Sequence, residues 1–150
     1  MQGIKRKVVY VSLYETIAIL LTGVVFYLLG FSVFDSWVAS VAASGIAVLW
    51  NLVWNTIFEY WEARQVKKGR STRRRIAHAI GFEGGLVLFL VPFFAWWLGV
   101  SLWEAFILDA GLLVFFLVYT FVFTRAFDHV FGLPASALPD SDSNLAAKKA

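Results

Sequence analysis

The sequence predicts an all-α integral membrane protein: four transmembrane helices, arranged as two duplicated helical hairpins of parallel topology, with both termini cytoplasmic. Three observations predict this. Apolar runs of membrane-spanning length occur four times, basic residues are confined to one set of connections, and three segments of the first half return in the second.

The apolar runs cover roughly residues 8–29, 33–61, 76–98 and 102–127. Each has about the 20 residues that a helix needs to cross a hydrocarbon core. None alternates with the period of two that a barrel strand requires, and all are too long for one. Of the 150 residues 60% are hydrophobic and 15% charged, where a soluble domain carries about 25% charge. The chain has no cysteine, so it has no disulfide frame and no thiolate metal or redox site.

At the N-terminus, Lys5-Arg6-Lys7 precedes the first apolar run in the manner of a signal peptide. That run is too long for a signal h-region and carries Glu15, so a retained first span is expected. After about residue 134 the chain is rich in Ser, Asp, Ala and Lys, which reads as a disordered tail.

Orientation follows from the 13 basic residues. They lie at the N-terminus, in the central loop (Arg64, Lys67, Lys68, Arg70, Arg73, Arg74, Arg75) and after the last span (Arg125, Lys148, Lys149). The two tight turns near residues 30–34 and 99–103 have none. The positive-inside bias makes the basic side cytoplasmic. The net charge of +3 is therefore a topology signal, and no nucleic-acid partner is expected.

The halves repeat. "LGFSVFD" (29–35) returns 69 positions on as "LGVSLWE" (98–104), and "WNLVWNTIFE" (50–59) returns at the same offset as "YTFVFTRAFD" (119–128). "KVVYVSLYE" (7–15) returns 68 positions on as "RIAHAIGFE" (75–83). In the first pair Gly ends one helix and Ser-x-x-Asp/Glu opens the next, a capping-box pattern. The organisation is a first hairpin repeat over 1–65, a basic cytoplasmic loop over 66–75, a second hairpin repeat over 76–130 and the tail over 131–150. The halves are related by an axis along the membrane normal, as some transporter repeats are.

Three acids fall inside spans. Glu15 and Glu83 are repeat counterparts, about two turns, or roughly 10 Å, from the cytoplasmic end. A charge at a span centre costs about 2.5–3.5 kcal/mol on insertion scales, so both should face the bundle interior or a wet cavity. Such a carboxyl can hold a proton or an organic cation; gluing helices together as a hydrogen-bonding group is the alternative. For Glu83, Arg75 and His78 are possible partners. Asp109 lies about a turn and a half into the fourth span, opposite Ser40 in the repeat. It suits a step for protons or cations toward the exterior, or a plain role near a helix N-terminus, where the dipole favours an anion.

Aromatic stripes mark the second and fourth spans. Trp50, Trp54 and Phe58 recur every four residues, beside Asn51, Asn55 and Glu59; Tyr119, Phe123 and Phe127 do the same beside Thr120, Thr124 and Asp128. Aromatic faces attract cations, worth roughly 2 kcal/mol when desolvated. Core packing is the alternative, and for Trp54 with Asn55 the two readings stand level. Trp37, Trp61, Trp96, Trp97 and Trp103 lie near span ends and read as interface anchors. Ala39, Ala43 and Ala47, with Ser36, Ser40 and Ser44, permit close helix approach. Pro92 removes a backbone bond and points to a kink in the third span, and Gly84-Gly85 before it to a hinge. The only histidines are His78 and His129. No multi-histidine metal centre, nucleophile motif or phosphate loop is present, so no enzyme, cofactor or metal is expected.

The pattern Arg75-x-x-His78-Ala79-x-x-Phe82-Glu83-Gly84-Gly85, with Trp50-Asn51-x-x-Trp54-Asn55-x-x-Phe58-Glu59 and Tyr119-Thr120-Phe121-x-Phe123-x-x-x-Phe127-Asp128, resembles the proteobacterial antimicrobial compound efflux family of bacterial transmembrane pair repeats. The resemblance covers nearly the whole chain outside the tail. It implies an inner-membrane exporter of biocides such as chlorhexidine, acriflavine-type dyes and quaternary ammonium compounds, driven by proton entry, with short diamines the natural cargo of some members. It implies that Glu15 is the proton- and substrate-linked residue. Lys7-x-x-Tyr10 departs from the family's Arg-x-x-His, Thr124 stands where Asn is frequent, and Phe127 where Tyr is frequent; substrate range and pH optimum hang on these.

The resulting expectation is a small proton-coupled exporter of lipophilic cations. Protonation of Glu15 competes with cation binding in a cavity lined by Trp50, Trp54, Asn55, Tyr119 and Phe123. Asp109 assists proton entry, and Glu83, Glu59 and Asp128, with Arg75 and His78, serve the cytoplasmic mouth. The expected partners are the lipid bilayer, cationic amphipathic small molecules, protons and a second copy in a homodimer, since four helices leave little room for a large drug. A non-transporting membrane scaffold or assembly protein is the alternative.

Overall fold

In lipid every backbone amide and carbonyl has to be satisfied within its own segment, which leaves the helix as the form open to these runs. The computed structural model describes residues 3–66 and 71–133. There the chain forms α1 (Gly3–Leu28), α2 (Val33–Ala63), α3 (Thr72–Leu98) and α4 (Leu102–Phe131). All four are long and apolar enough to cross a membrane, and no strand is present among the described residues. The predicted tail beyond residue 133 and positions 67–70 of the basic loop lie outside the described residues.

The helices outrun the apolar runs, and always at the end rich in basic residues. α1 takes in Lys5-Arg6-Lys7, α3 takes in Arg73, Arg74 and Arg75, and α4 continues to Phe131. Lys and Arg are good helix formers, so a charged flank continues the helix beyond the apolar stretch. With 26 to 31 residues, the helices extend roughly 39–46 Å at 1.5 Å per residue, past the ~30 Å hydrocarbon core.

At the opposite end the connections are tight. α1 closes with Phe31 N donating to Phe26 O at 3.3 Å and Gly30 N to Tyr27 O at 3.0 Å, a Schellman turn that needs Gly30 at a φ of 99°. Gly99 takes the same left-handed role after α3, with φ 65°. Ser32 then caps α2, its hydroxyl accepting from Asp35 N at 3.0 Å. At α4 the box is complete: Glu104 N donates to Ser101 Oγ at 3.1 Å and Ser101 N to the Glu104 carboxylate at 2.9 Å. Each cap feeds amides that the first turn leaves unpaired. α3 runs unbroken through Pro92.

The chain divides into two compact units. The first joins Met1–Leu20 with Gly111–Ala150, and so holds the larger parts of α1 and α4. Its interior is aromatic, with Tyr119 and Phe127 buried. The second, Leu21–Ala110, holds α2 and α3 whole, the end of α1 and the start of α4. Its core centres on Phe26 and Phe94, both without exposed surface, with ring centroids 5.4 Å apart. The small residues Ser36, Ala39, Ser40 and Ala105 are buried with them. Large apolar side chains such as Leu117 and Phe121 remain exposed, as befits surfaces solvated by acyl chains rather than water.

Candidate functional site

In the first unit, α1 and α4 are joined by a ladder of phenols and hydroxyls. The Tyr10 hydroxyl lies 2.8 Å from Thr124 Oγ1, and the Tyr14 hydroxyl 2.8 Å from Thr120 Oγ1. Tyr119 donates its hydroxyl to the Tyr14 carbonyl at 2.8 Å. Spacing by four residues on both helices brings these groups onto facing stripes. Between them the rings interlock: Phe123 meets Tyr10 edge-on at 5.2 Å and Tyr14 at 5.3 Å. Half-buried Glu15 follows Tyr14 and acts electrostatically on the phenols of Tyr14 and Tyr119. Here an acid, a buried phenol and stacked rings share one region of a span, which suits a cation that sheds its water on entry.

In the second unit, α2 and α3 meet through tryptophan. Trp50 Nε1 donates to the Phe82 carbonyl at 2.9 Å and Trp54 Nε1 to the His78 carbonyl at 3.0 Å. The two indoles stack with centroids 5.7 Å apart. They lie on the bare backbone of α3: a Cβ on Gly81 would fall 2.0 Å from Trp54, and one on Gly85 2.0 Å from Trp50. His78 Nε2 stands 2.8 Å from Asn55 Oδ1, and Asn55 in turn donates its amide to Asn51 Oδ1 at 2.9 Å.

These contacts correspond position by position with those of the first unit. The offsets of 68 and 69 carry Tyr10 onto His78 and Asn55 onto Thr124, so the Tyr10–Thr124 and His78–Asn55 bonds join matching positions. The same offsets carry Tyr14 onto Phe82 and Trp50 onto Tyr119; each aromatic donor bonds the carbonyl of the matching residue. Edge-on packing of Phe127 on Tyr10 at 5.0 Å has its match in Phe58 on His78 at 4.8 Å.

The structure distributes the sequence-derived candidates unevenly. Tyr119 and Phe123 share the first unit with Glu15 and Asp128. Trp50, Trp54, Asn55, Glu59, Arg75, His78, Glu83 and Asp109 belong to the second. His78, offered as a partner for Glu83, bonds Asn55 instead. Glu83 is half-buried and within electrostatic reach of Asp109. Asp109 is buried, as are Thr22, Ser36 and Ser40 of the same unit, and the hydroxyls of Thr22 and Ser36 have no hydrogen-bond partner among the described residues. Glu59 and Arg75 are exposed. Trp54 and Trp50 spend their N–H groups on α3, which favours the packing reading, and both residues are half-buried.

Several contributors escaped the sequence reading. Gly81 and Gly85 are the seat of the tryptophans; their spacing of four, matching that of Trp50 and Trp54, was the available signal. Tyr14 carries no signal in the repeat pattern, since its counterpart is Phe82. Arg6 reads as one of three basic flank residues, yet it is buried and paired with Asp128.

The sequence pattern described as chlorhexidine efflux transporter matches residues 2–64 and 70–133. A short-chain diamines transporter of Acinetobacter baylyi is 37% identical over 131 residues, covering 84% of this chain and 89% of that protein. One of Acinetobacter baumannii is 34% identical over 127 residues, with 84% and 88% covered. One of Vibrio parahaemolyticus is 36% identical over 96 residues, with 64% and 68% covered. No solved structure matches the chain. The matches span all four helices and both sets of aligned contacts, and with them the resemblance read from the motifs becomes membership: the chain belongs to the chlorhexidine efflux transporter family, as a multi-pass transporter of the bacterial inner membrane.

Proposed function

We propose that the protein exchanges protons for lipophilic cations, exporting chlorhexidine, quaternary ammonium and dye cations, and short diamines as well. The observation that carries this reading is Glu15, a half-buried acid within a span, acting on the phenols of Tyr14 and Tyr119. A carboxyl in such surroundings binds one positive charge at a time, a proton or a cation, because two would leave an unpaired charge in low dielectric. Competition of that kind is what couples opposed fluxes. The names of the relatives support diamines as cargo, and the family description supports chlorhexidine.

Asp109 and Glu83, within electrostatic reach of one another, form a second acidic station serving proton entry. Trp50, Trp54 and Asn55, on α2, offer aromatic faces and an amide to the cation. Arg75, His78, Glu59 and Asp128 stand where the basic flanks begin, which the positive-inside bias assigns to the cytoplasm. The duplicated hairpins, the cytoplasmic termini and a homodimeric state belong to the same proposal. Membership of a transporter family leaves the scaffold reading without support.

Reconstitution in liposomes with an imposed pH gradient tests the proposal. Added chlorhexidine, a quaternary ammonium salt or putrescine should each release proton flux from the native chain, and Glu15→Gln should abolish it with the fold retained. Absence of proton flux with every cation overturns the reading.

A further inference from the structure

At the end of the first unit where α1 begins and α4 stops, the chain builds a complete receptor for a planar cation and fills it with its own arginine. Arg6 is 8% exposed. One guanidinium nitrogen donates to the Gly132 carbonyl at 2.6 Å, just past the last turn of α4, where carbonyls lack helical partners. A second nitrogen pairs with the Asp128 carboxylate. The group's central carbon stands 5.0 Å from the centre of the Phe127 ring, inside the range of cation–π attraction. Carboxylate, carbonyl oxygen and aromatic face are the three elements by which proteins bind amidine-type cations, and all come from α4 and its final turn.

We infer that Asp128, the Gly132 carbonyl and the Phe127 ring form a receiving site for guanidinium- and amidine-type groups of the cargo, with Arg6 as a tethered surrogate that holds the site until cargo displaces it. This rests on the cation export proposed above. Displacement exchanges one cation for another, so the half-buried Asp128 is never left as an unpaired charge, an outcome that is costly wherever a carboxylate is partly withdrawn from water. The approach is open, because the Asp128 side chain keeps 25% of its surface exposed while Arg6 keeps 9%. Arg6 sits on a long flexible stem and can withdraw without unwinding α1. Chlorhexidine, a molecule of biguanide groups, presents the planar donor fork that this geometry fits; a simple ammonium would use the carboxylate and ring but only part of the fork.

The full chain in lipid nanodiscs, with Arg6→Ala vacating the site, tests this. Methylguanidinium chloride at millimolar concentration should raise the unfolding temperature of Arg6→Ala, neutral methylurea should not, and adding Asp128→Asn should remove the response. Chlorhexidine, followed by tryptophan fluorescence, should bind Arg6→Ala about tenfold more tightly than the native chain, the equivalent of one charge-assisted bond no longer displaced. Arg6→Gln keeps the stem and takes the place of the alanine variant if that fails to fold. An unfolding temperature indifferent to methylguanidinium, or a response that survives Asp128→Asn, overturns the inference. Both readouts are independent of transport: a methylguanidinium response without cation-driven proton flux would sink the proposed function alone, and flux without the response would sink only the receiving site.

Discussion

His78 and Asn55 are hydrogen-bonded between α3 and α2 at 2.8 Å, and Tyr10 of α1 and Thr124 of α4, 68 residues before and 69 after them in sequence, are held at the same distance. One arrangement is thus filled with two chemistries, an imidazole with an amide and a phenol with a hydroxyl. A chemical swap should therefore be tolerated if both partners are exchanged together. His78→Tyr and Asn55→Thr should each destabilise the protein by about 0.6 kcal/mol, and by no more than ~1.7, the span measured for interhelical bonds in membranes. The double variant should recover part of the loss. Unfolding titrations of the three variants in mixed micelles check this; strictly additive losses would mean that the pair makes no bond of its own.

Gly85 and Gly84 are neighbours with opposite prospects. A Cβ at Gly85 would meet the Trp50 indole at 2.0 Å, whereas one at Gly84 has nothing within 4 Å. Gly85→Ala should cost about 1–3 kcal/mol through overpacking and shift the tryptophan emission. Gly84→Ala should be neutral or slightly stabilising, since alanine favours helix by ~1 kcal/mol over glycine. Equal effects from the two would contradict a seat formed by close approach.

The Trp54 indole N–H donates to the His78 carbonyl. Trp54→Phe keeps an aromatic face but removes the donor, and should lower stability by about 1 kcal/mol while leaving cation affinity within a few-fold. A large loss of chlorhexidine binding with unchanged stability would instead show that the cargo needs the indole itself and not merely an aromatic face. Equilibrium unfolding and fluorescence binding, measured on the same preparation, separate the outcomes.

The start of α4 is held by a reciprocal box between Ser101 and Glu104, whereas at α2 the bond runs one way, Asp35 N donating to Ser32 Oγ. Ser101→Ala should cost about 1 kcal/mol, and Glu104→Ala should add little on top, because each bond depends on the same turn. Thermal unfolding of the single and double variants reads this directly.

Span number and the two tight turns were legible because they depend on local quantities. Runs of apolar residues decide which segments dissolve in lipid, and helix is the form that satisfies their backbone without water. Gly30 and Gly99, followed by Ser32 and Ser101, punctuate the runs by the same local rules. At the basic flanks the helices run on past the apolar stretches, because hydropathy records where lipid stops and not where the backbone unwinds.

The pairing of side chains belonged to the tertiary structure. Nothing in residues 5–7 distinguishes Arg6 from its neighbours until α1 and α4 meet and its partners, 122 and 126 positions away, come within reach. The Gly84-Gly85 pair suggests a hinge, but the Trp50 indole of α2 rests on Gly85, and His78, a possible partner for Glu83 by sequence, bonds Asn55 of α2. Sequence by itself determined that four helices enter the membrane and where they turn, since solvation and backbone bonding act within each segment. Only the packed structure decided which face of each helix meets which neighbour, because that rotation is set by the fit of side chains distant in sequence.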